Sequence, residues 1–198
     1  YHIVTNMTTF YPEGGGQIGD TGKLISSADE IQVIDSYRDS GDIIHLTKKL
    51  PTNLESQVKL KIATKRRSLI EANHTGTHLL HQALRNILGD HVEQRGSMIS
   101  DEMFRFDFSH PSKLSSSDLH SINSFVNSKI KESIPLVENR EEDYETAINN
   151  GAIGLFTEKY EDKVRTVKFN ESYELCGGTH AKNTSKLKTF SIISEVSQ

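Results

Sequence analysis

Two short stretches of the sequence carry histidine and cysteine side chains at spacings that suit metal binding. The first places His74 and His78 four residues apart, so that on a helix both imidazoles project from one face, about 6 Å apart along the axis. The second places His180 four residues after Cys176, the only cysteine, with two glycines between them that let the backbone fold tightly. Three imidazoles and one thiolate suit Zn²⁺ better than cations that prefer oxygen ligands. Zinc is therefore the first hypothesis.

Spacing alone leaves two alternatives open. The chain has 9 histidines among 198 residues, so pairs four residues apart also occur by chance, and Cys176 is equally consistent with a buried free thiol that packs as a small apolar side chain. On a helical projection His81 lies within about 60° of His74 and His78. On geometry alone His81 is a rival ligand; otherwise it is a helix-surface residue or one that supports the ligands from behind.

Taken together, the motifs resemble a known family. The segment His74-Thr-Gly-Thr-His78 with Cys176-Gly-Gly-Thr-His180 is similar to the two-part zinc motif of alanyl-tRNA synthetase editing domains, and of related free-standing proteins that deacylate mischarged alanine tRNA. The resemblance covers nearly the whole chain. The further matching stretches are residues 8–17, 19–22, 94–98 and 105–110.

The resemblance implies an activity and its partner. A pocket for alanine cannot firmly exclude glycine, which is smaller, or serine, which adds a hydroxyl, because such differences are worth only ~1–3 kcal/mol, or about 10–200-fold. A second, hydrolytic site solves this problem. The resemblance therefore implies hydrolysis of the ester that joins serine or glycine to tRNA(Ala), with mischarged tRNA(Ala) and the rest of a synthetase chain as partners.

The family pattern also assigns roles to individual residues. It prefers Cys176 and His180 over His81, which gives the zinc ligands His74, His78, Cys176 and His180. Gln94, at the family's position beside the metal, is expected to hydrogen-bond the substrate, and Thr8 to sense the serine hydroxyl. The alternatives are an ordinary polar strand residue for Gln94 and a plain strand or turn residue for Thr8.

The role of the zinc stays open at this point. Four protein ligands fill a tetrahedral zinc, which is typical of structural sites, whereas catalytic zinc keeps one position for water or substrate. Lewis-acid activation, substrate positioning and a purely structural ion are all compatible with the sequence. No general base is identified.

Composition limits the class of protein. With 34% hydrophobic and 25% charged residues, the sequence is typical of a globular protein, and no apolar run approaches the ~20 residues that span a bilayer. A single cysteine suits a reducing compartment, so the cytoplasm is the expected location. The formal charge of −4 argues against a generally basic coat for nucleic acid, but local basic groups at residues 65–67, 48–49 and 182–188 remain.

Residues 14–16 are three glycines that lack the lysine of a P-loop, so they do not predict a nucleotide site. The resemblance implies a glycine-rich loop that lies against the editing core.

The pattern of apolar residues predicts an α+β fold. The resemblance implies the type found in the second additional domain of threonyl- and alanyl-tRNA synthetases. Residues 1–63 are expected to form a small β-barrel-like subdomain, with a hairpin turn at residues 39–41. Residues 64–198 are expected to form an α+β editing core, which contains the zinc site. Predicted elements of this core are a helix ending at Gly89, a strand pair at residues 91–109, a helix that starts at Ser115, a short helix at residues 141–150, and strands at residues 163–169 and 187–195.

Two further hypotheses accompany the enzyme. One is a zinc-stabilised module that binds tRNA without chemistry of its own. The other is a free-standing deacylase in place of a synthetase fragment. The first residue, Tyr1 rather than Met, and the run from Arg105 to His110 favour the fragment.

Overall fold

The computed structural model describes residues 1–154 and 160–197. In chain order its elements are β1 (His2–Ile3), β2 (Gly22–Ile25), β3 (Glu30–Asp39), β4 (Asp42–Thr47), β5 (Lys59–Ile62), α1 (Thr64–Leu88), β6 (Gln94–Ile99), β7 (Phe104–Phe108), α2 (Ser116–Lys131), β8 (Val137–Asp143), α3 (Tyr144–Asn149), β9 (Lys163–Phe169), β10 (Ser172–Leu175) and a 3₁₀ helix (Thr184–Leu187). Among the described residues, no helix combines the length and the apolar character that crossing a bilayer requires.

The first five strands form one antiparallel sheet in the order β1-β4-β3-β2-β5. The predicted hairpin joins β3 to β4, where Ser40 and Gly41 adopt positive φ angles of 51° and 95°. Such angles match the twist of the flanking strands in a two-residue turn. Along β3 the buried side chains alternate, so that Ile31 and Val33 pack with Leu24 and with Phe10 from the preceding loop.

The prediction of a β-barrel-like N-terminal subdomain is wrong, although the mixed α+β class is confirmed. Within residues 1–62 the sheet stays open, with β1 and β5 as its two edges. Strand β1 pairs with β4 and strand β5 pairs with β2, and no pairing joins these two edge strands to each other. Alternating apolar residues predict strands and the face that each strand buries, but not whether a sheet closes on itself.

The second half is organised around α1, a helix of 25 residues. Leu79 and Leu84 on α1 pack against Ile122 and Val126 on α2 and against Phe169 on β9, in the main hydrophobic core. The predicted start of α2 is confirmed. Ser115 accepts a hydrogen bond from the backbone N–H of Asp118, and the Asp118 carboxylate accepts one from Ser115 in return, which satisfies donors that the helix end would otherwise leave free.

Of three elements predicted in this half, one is confirmed, one is shorter than predicted and one is wrong. The strand at residues 163–169 is confirmed as β9, which lies between β8 and β10 in a three-stranded antiparallel sheet. The helix predicted at residues 141–150 begins only at Tyr144, because residues 137–143 pair with β9 instead. The strand predicted at residues 187–195 is wrong. There the backbone of Phe190 hydrogen-bonds to the side chain of Asn127 rather than to a strand.

Side chains bond across the predicted boundary between the two parts of the chain. Strand β5 ends at Ile62 and α1 begins at Thr64, close to the predicted division at residues 63 and 64, which stays a prediction. Arg67, in the first turns of α1, forms an ion pair with the buried carboxylate of Asp20, and Arg66 donates to the backbone carbonyl of Gly19 at 2.7 Å. Two arginines of the basic run at residues 65–67 therefore hold the fold together.

Candidate metal centre

The middle of α1 supplies two of the predicted ligands. His74 and His78 are both buried, one helical turn apart, and their ring centroids are 5.4 Å apart. Between them Gly76 lets a neighbouring strand approach closely, because a Cβ at that position would lie 2.9 Å from the ring of Phe104 on β7. The helix thus turns its imidazoles into the interior of the protein.

The loop after β10 supplies the other two ligands, Cys176 and His180. The guanidinium of Arg165, on β9, holds this loop by donating to the carbonyls of Cys176 at 2.6 Å and of Gly178 at 2.7 Å. Gly178 lies against the first half of the site, since a Cβ there would stand 2.0 Å from Cε1 of His74. Only a glycine therefore allows the loop and the helix to approach this closely.

The four predicted ligands meet at one point. Their donor atoms all lie within 4.8 Å of one another. Cys176 Sγ is 3.5 Å from Nε2 of His74 and 3.3 Å from Nε2 of His180. Zinc bond lengths of about 2.3 Å to sulfur and 2.0–2.1 Å to nitrogen give a tetrahedral S–N edge of about 3.6 Å. The observed separations are close to that edge.

Burial sets the protonation of these groups in the metal-free protein. It lowers the pKa of His74 and of His180 well below the usual value of 6.5, an effect that the neighbouring imidazoles increase. Burial also lowers the pKa of His78, against the opposing effect of Glu174. The three imidazoles are therefore neutral near pH 7, the form that binds metals. Burial raises the pKa of the Cys176 thiol to about 12, so a metal must displace the thiol proton.

His78 provides a test of whether these residues fit a metal ion. Its side chain is buried, yet neither ring nitrogen makes a hydrogen bond to any described residue. Nε2 lies 3.5 Å from a carboxylate oxygen of Glu174 without hydrogen-bonding geometry. Buried polar atoms are rarely left unpaired, and an imidazole that lacks partners inside a cluster of nitrogen and sulfur donors fits a metal ligand. The donor set fits zinc.

Other buried side chains support the ligands from behind. The Thr75 hydroxyl lies 3.2 Å from Nδ1 of His180 and accepts the backbone N–H of Ala181. The carboxylate of Glu174 accepts from Nδ1 of His81 at 3.1 Å. Although Glu174 is buried, the neighbouring His78 and His81 lower the pKa of its carboxyl. His81 is therefore buried beside the cluster and paired with Glu174, and it is not among the four converging donors.

The two residues predicted to contact substrate have different hydrogen-bond partners. Gln94 begins β6 and its amide donates to Ser97 Oγ at 3.2 Å. Thr8 lies in the N-terminal half, where its hydroxyl is 2.8 Å from Nε2 of the buried His45 and accepts the backbone N–H of Phe10. Among the described residues, no hydrogen bond joins either side chain to the four ligands.

The glycine-rich loop lies against the core as expected. A Cβ at Gly16 would stand 2.4 Å from Ser97 Oγ, and the backbone of this segment pairs with Ile99 on β6. The loop also delivers Gln17, which is fully buried and contacts His74. The loop therefore contacts β6 at Ser97, which also accepts from Gln94, and contacts α1 at His74.

Sequence reasoning missed four residues of this centre: Gln17, Thr75, Arg165 and Glu174. Gln17 and Thr75 belong to motifs that were recognised as wholes, and Glu174 lies two residues before one, but nothing in these motifs indicates which ligand each side chain touches. Arg165 gave no signal, because it acts on backbone carbonyls 11 and 13 residues further along the chain.

A surface depression of about 470 Å³ lies elsewhere, over the sheet of β8, β9 and β10. Its lining includes Glu142, Thr166, Lys168 and Tyr173, and none of the four converging donors. The depression and the cluster of four donors therefore lie at different places in this protein. We assign the candidate site to the donors, because their side chains can bind a metal ion.

Comparison with known proteins relates the chain to aminoacyl-tRNA synthetases. The family described as "Threonyl and Alanyl tRNA synthetase second additional domain" matches residues 164–198, and "tRNA synthetases class II (A)" matches residues 1–67. The chain is 50% identical over 196 residues to the alanine–tRNA ligase of Christiangramia forsetii, which covers 98% of this chain and 22% of that protein. It is 46% identical over 197 residues to the alanine–tRNA ligase of Bacteroides fragilis, covering all of this chain and 23% of that protein. The chain spans about a fifth of the length of these relatives.

Proposed function

Because the chain is homologous over its whole length to a segment of alanine–tRNA ligases, we propose that it is the editing domain of such a ligase. Its reaction is hydrolysis of the ester that joins serine or glycine to tRNA(Ala). The partners are the mischarged tRNA(Ala) and the rest of the ligase chain, and the reaction takes place in the cytoplasm, where a free thiol such as Cys176 stays reduced.

The observation that supports this proposal is the buried cluster of His74, His78, Cys176 and His180, with donor atoms within 4.8 Å of one another. These four side chains would hold a zinc ion. When bound, zinc supplies a positive charge that polarises a carbonyl, activates water or orients the substrate.

The protein's own residues provide recognition around this centre. Gln94 has an amide that now donates to Ser97 and that offers its remaining donor and acceptor to the substrate. Thr8 senses the serine hydroxyl by accepting a hydrogen bond from it, because its own hydroxyl donates to His45 and accepts from Phe10, which leaves one lone pair for the substrate. A site that hydrogen-bonds a substrate hydroxyl discriminates strongly against an analogue that lacks it, because the partner in the protein is then left unpaired.

A deacylation assay tests the proposal. The purified chain is mixed with tRNA(Ala) charged with serine, glycine or alanine, and the decay of each ester is followed against the uncatalysed rate. We expect faster decay of the serine and glycine esters than of the alanine ester. Cys176→Ala is the inactive control, and it should lose both the zinc and the activity.

Unchanged ester lifetimes with bound zinc and bound tRNA would show a zinc-stabilised tRNA-binding module instead. Activity on tRNA(Ala) supplied in trans is expected for the domain and for a free-standing deacylase alike. The length of the gene that encodes the chain distinguishes these two.

A further inference from the structure

Gln17 reaches the metal centre from outside both segments that carry the ligands. Its side chain is fully buried, and its Oε1 lies 2.7 Å from Nδ1 of His74 and 3.0 Å from the backbone nitrogen of Thr179. Its Nε2 donates to the Thr179 hydroxyl at 3.0 Å. One amide therefore connects the N-terminal loop, helix α1 and the loop between Cys176 and His180.

These contacts determine the tautomer of His74. The backbone N–H of Thr179 can only donate, so the atom that it meets must be the amide oxygen of Gln17. That oxygen can only accept, so Nδ1 of His74 must carry the proton. In a neutral imidazole the lone pair is then on Nε2, the nitrogen that faces Cys176 Sγ at 3.5 Å.

We propose that Gln17 is a positioning residue of the metal centre, which fixes His74 in the tautomer and ring orientation that bind metal and holds the Cys176 loop against it. The inference rests on the proposed function in taking the four donors to bind zinc. Thr75 and Glu174 also support ligands, but both lie on segments that themselves carry ligands. Gln17 extends the centre to a third segment, so the N-terminal part of the chain takes part in metal binding.

Close packing around Gln17 restricts the position of its side chain. A Cβ on Gly178 would lie 3.0 Å from Oε1 of Gln17, and a Cβ on Gly16 would collide with Ser97. The amide is thus enclosed between the loop after β10 and the edge of β6. Side chains that orient metal-bound histidines typically contribute 10–100-fold to metal affinity.

The test is a series of substitutions in the purified chain, with zinc affinity measured by competition with a chromophoric chelator. Gln17→Met keeps the size but removes both polar atoms, and zinc binding should weaken by roughly 10–100-fold. Gln17→Asn keeps the amide but shortens its reach, and a loss of similar size is expected. Gln17→Glu keeps an acceptor for His74 and for the backbone of Thr179, although it loses the donor to the Thr179 hydroxyl, so it should bind zinc more tightly than Gln17→Met and Gln17→Asn. Gln32→Met, an exposed glutamine on β3, is the matched control and should not change affinity.

Cobalt spectra and the stability of the metal-free protein separate positioning from a structural role. With Co²⁺ in place of zinc, Gln17→Met should show weaker or shifted ligand-field bands, because one imidazole is no longer aligned, whereas Gln17→Glu should restore them. If Gln17→Met does not fold, the zinc affinities and cobalt spectra of Gln17→Asn and Gln17→Glu are compared instead.

Two results would overturn the inference. One is zinc affinity and cobalt spectra of Gln17→Met and Gln17→Asn that equal those of the parent. The other is a loss of affinity that matches the loss of metal-free thermal stability and that Gln17→Glu does not restore. A parent chain that binds no zinc at all would instead reject the metal site of the proposed function.

Discussion

Two histidines on the same face of α1 have different surroundings. His78 and His81 are both buried and both lie near Glu174. His81 is hydrogen-bonded to that carboxylate, whereas both ring nitrogens of His78 lack hydrogen-bond partners among the described residues. Glu174 therefore accepts a hydrogen bond from His81 and leaves His78 available as a ligand. The sequence could place all three imidazoles on one face, but it could not place Glu174, which lies 93 residues from His81.

The first prediction concerns the zinc ligands themselves. His74→Ala and His78→Ala should each lower zinc content from about one ion per chain, because three remaining donors hold the ion less tightly. His120→Ala, an exposed histidine on α2, should keep the full zinc content. Elemental analysis after reconstitution with zinc and desalting measures the occupancy. Equal zinc content in the parent and in both variants would exclude this cluster as the binding site.

The second prediction concerns Gln94. Gln94→Ala should slow hydrolysis of serine-charged tRNA(Ala) several-fold or alter the preference for serine over glycine, because a lost substrate hydrogen bond costs roughly 0.5–1.5 kcal/mol. Zinc content and thermal stability should stay near those of the parent, since the Gln94 side chain makes its described hydrogen bond to Ser97 and not to a ligand. Full activity on both substrates would remove Gln94 from the site.

At the level of elements, packing against helix α1 constrains the backbone of the loop after β10. Its two glycines, Gly177 and Gly178, are adjacent but have different surroundings: a Cβ on Gly177 would meet nothing within 4 Å, whereas one on Gly178 would collide with the His74 ring. The sequence indicated only that a pair of glycines would let the loop fold tightly. Which glycine is required depends on the helix that packs against the loop.

This difference gives a matched pair of substitutions as the third prediction. Gly178→Ala should displace His74 or the loop and weaken zinc binding strongly, because the added methyl would stand 2.0 Å from a ring carbon. Gly177→Ala should leave zinc affinity within a few-fold of the parent. Chelator competition on both variants is the measurement. Similar affinities in the two would mean that the loop moves freely relative to α1.

Elements with strong local patterns could be predicted, and those that depend on distant partners could not. Helix α2 has its capping box and its apolar stripe within one stretch of sequence, and it begins where predicted. The β-prone run at residues 187–195 carries the same local signal as a strand, but its backbone bonds to Asn127, 63 residues away. Closure of the N-terminal sheet likewise depends on its edges, which alternation does not describe.

On the scale of the whole molecule, the N-terminal sheet and the second half are linked by a buried ion pair. Asp20 is 2% exposed, accepts the backbone N–H of Tyr11 at 2.7 Å and pairs with Arg67 at the start of α1. The same loop, three residues earlier, carries Gln17. The ion pair therefore helps to hold the loop that reaches the metal centre.

The fourth prediction follows from this link. Arg67→Met should lower the free energy of unfolding by about 3–5 kcal/mol, because it leaves the Asp20 carboxylate buried without its partner. Arg95→Met is the control: Arg95 and Glu93 form an exposed pair, so the loss should not exceed about 1 kcal/mol. Urea unfolding followed by circular dichroism compares the two. A small loss in Arg67→Met would show that the two parts of the chain are held together by other contacts.

The fifth prediction is acid sensitivity of the metal-free protein. Burial lowers the pKa of four imidazoles below the usual 6.5, those of His45, His74, His78 and His180. The unfolded chain therefore binds more protons than the folded chain once the pH falls below about 6.5, and the stability that is present above this pH is lost as the pH falls. The thermal midpoint of chelator-treated protein should drop between about pH 7 and pH 5. A constant midpoint over this range would contradict the burial of these groups.

The distance along the chain between the two halves of the metal centre also affects how the protein is made. His74 and Cys176 are 102 residues apart. At translation rates of about 5–20 residues per second, the helix histidines are synthesised roughly 5–20 s before the cysteine. During this interval the nascent chain holds two of the four donors without Cys176 and His180. If the four donors bind zinc as proposed, the complete set is available only late in the synthesis of this segment, after the ribosome has also made the strands of the main core.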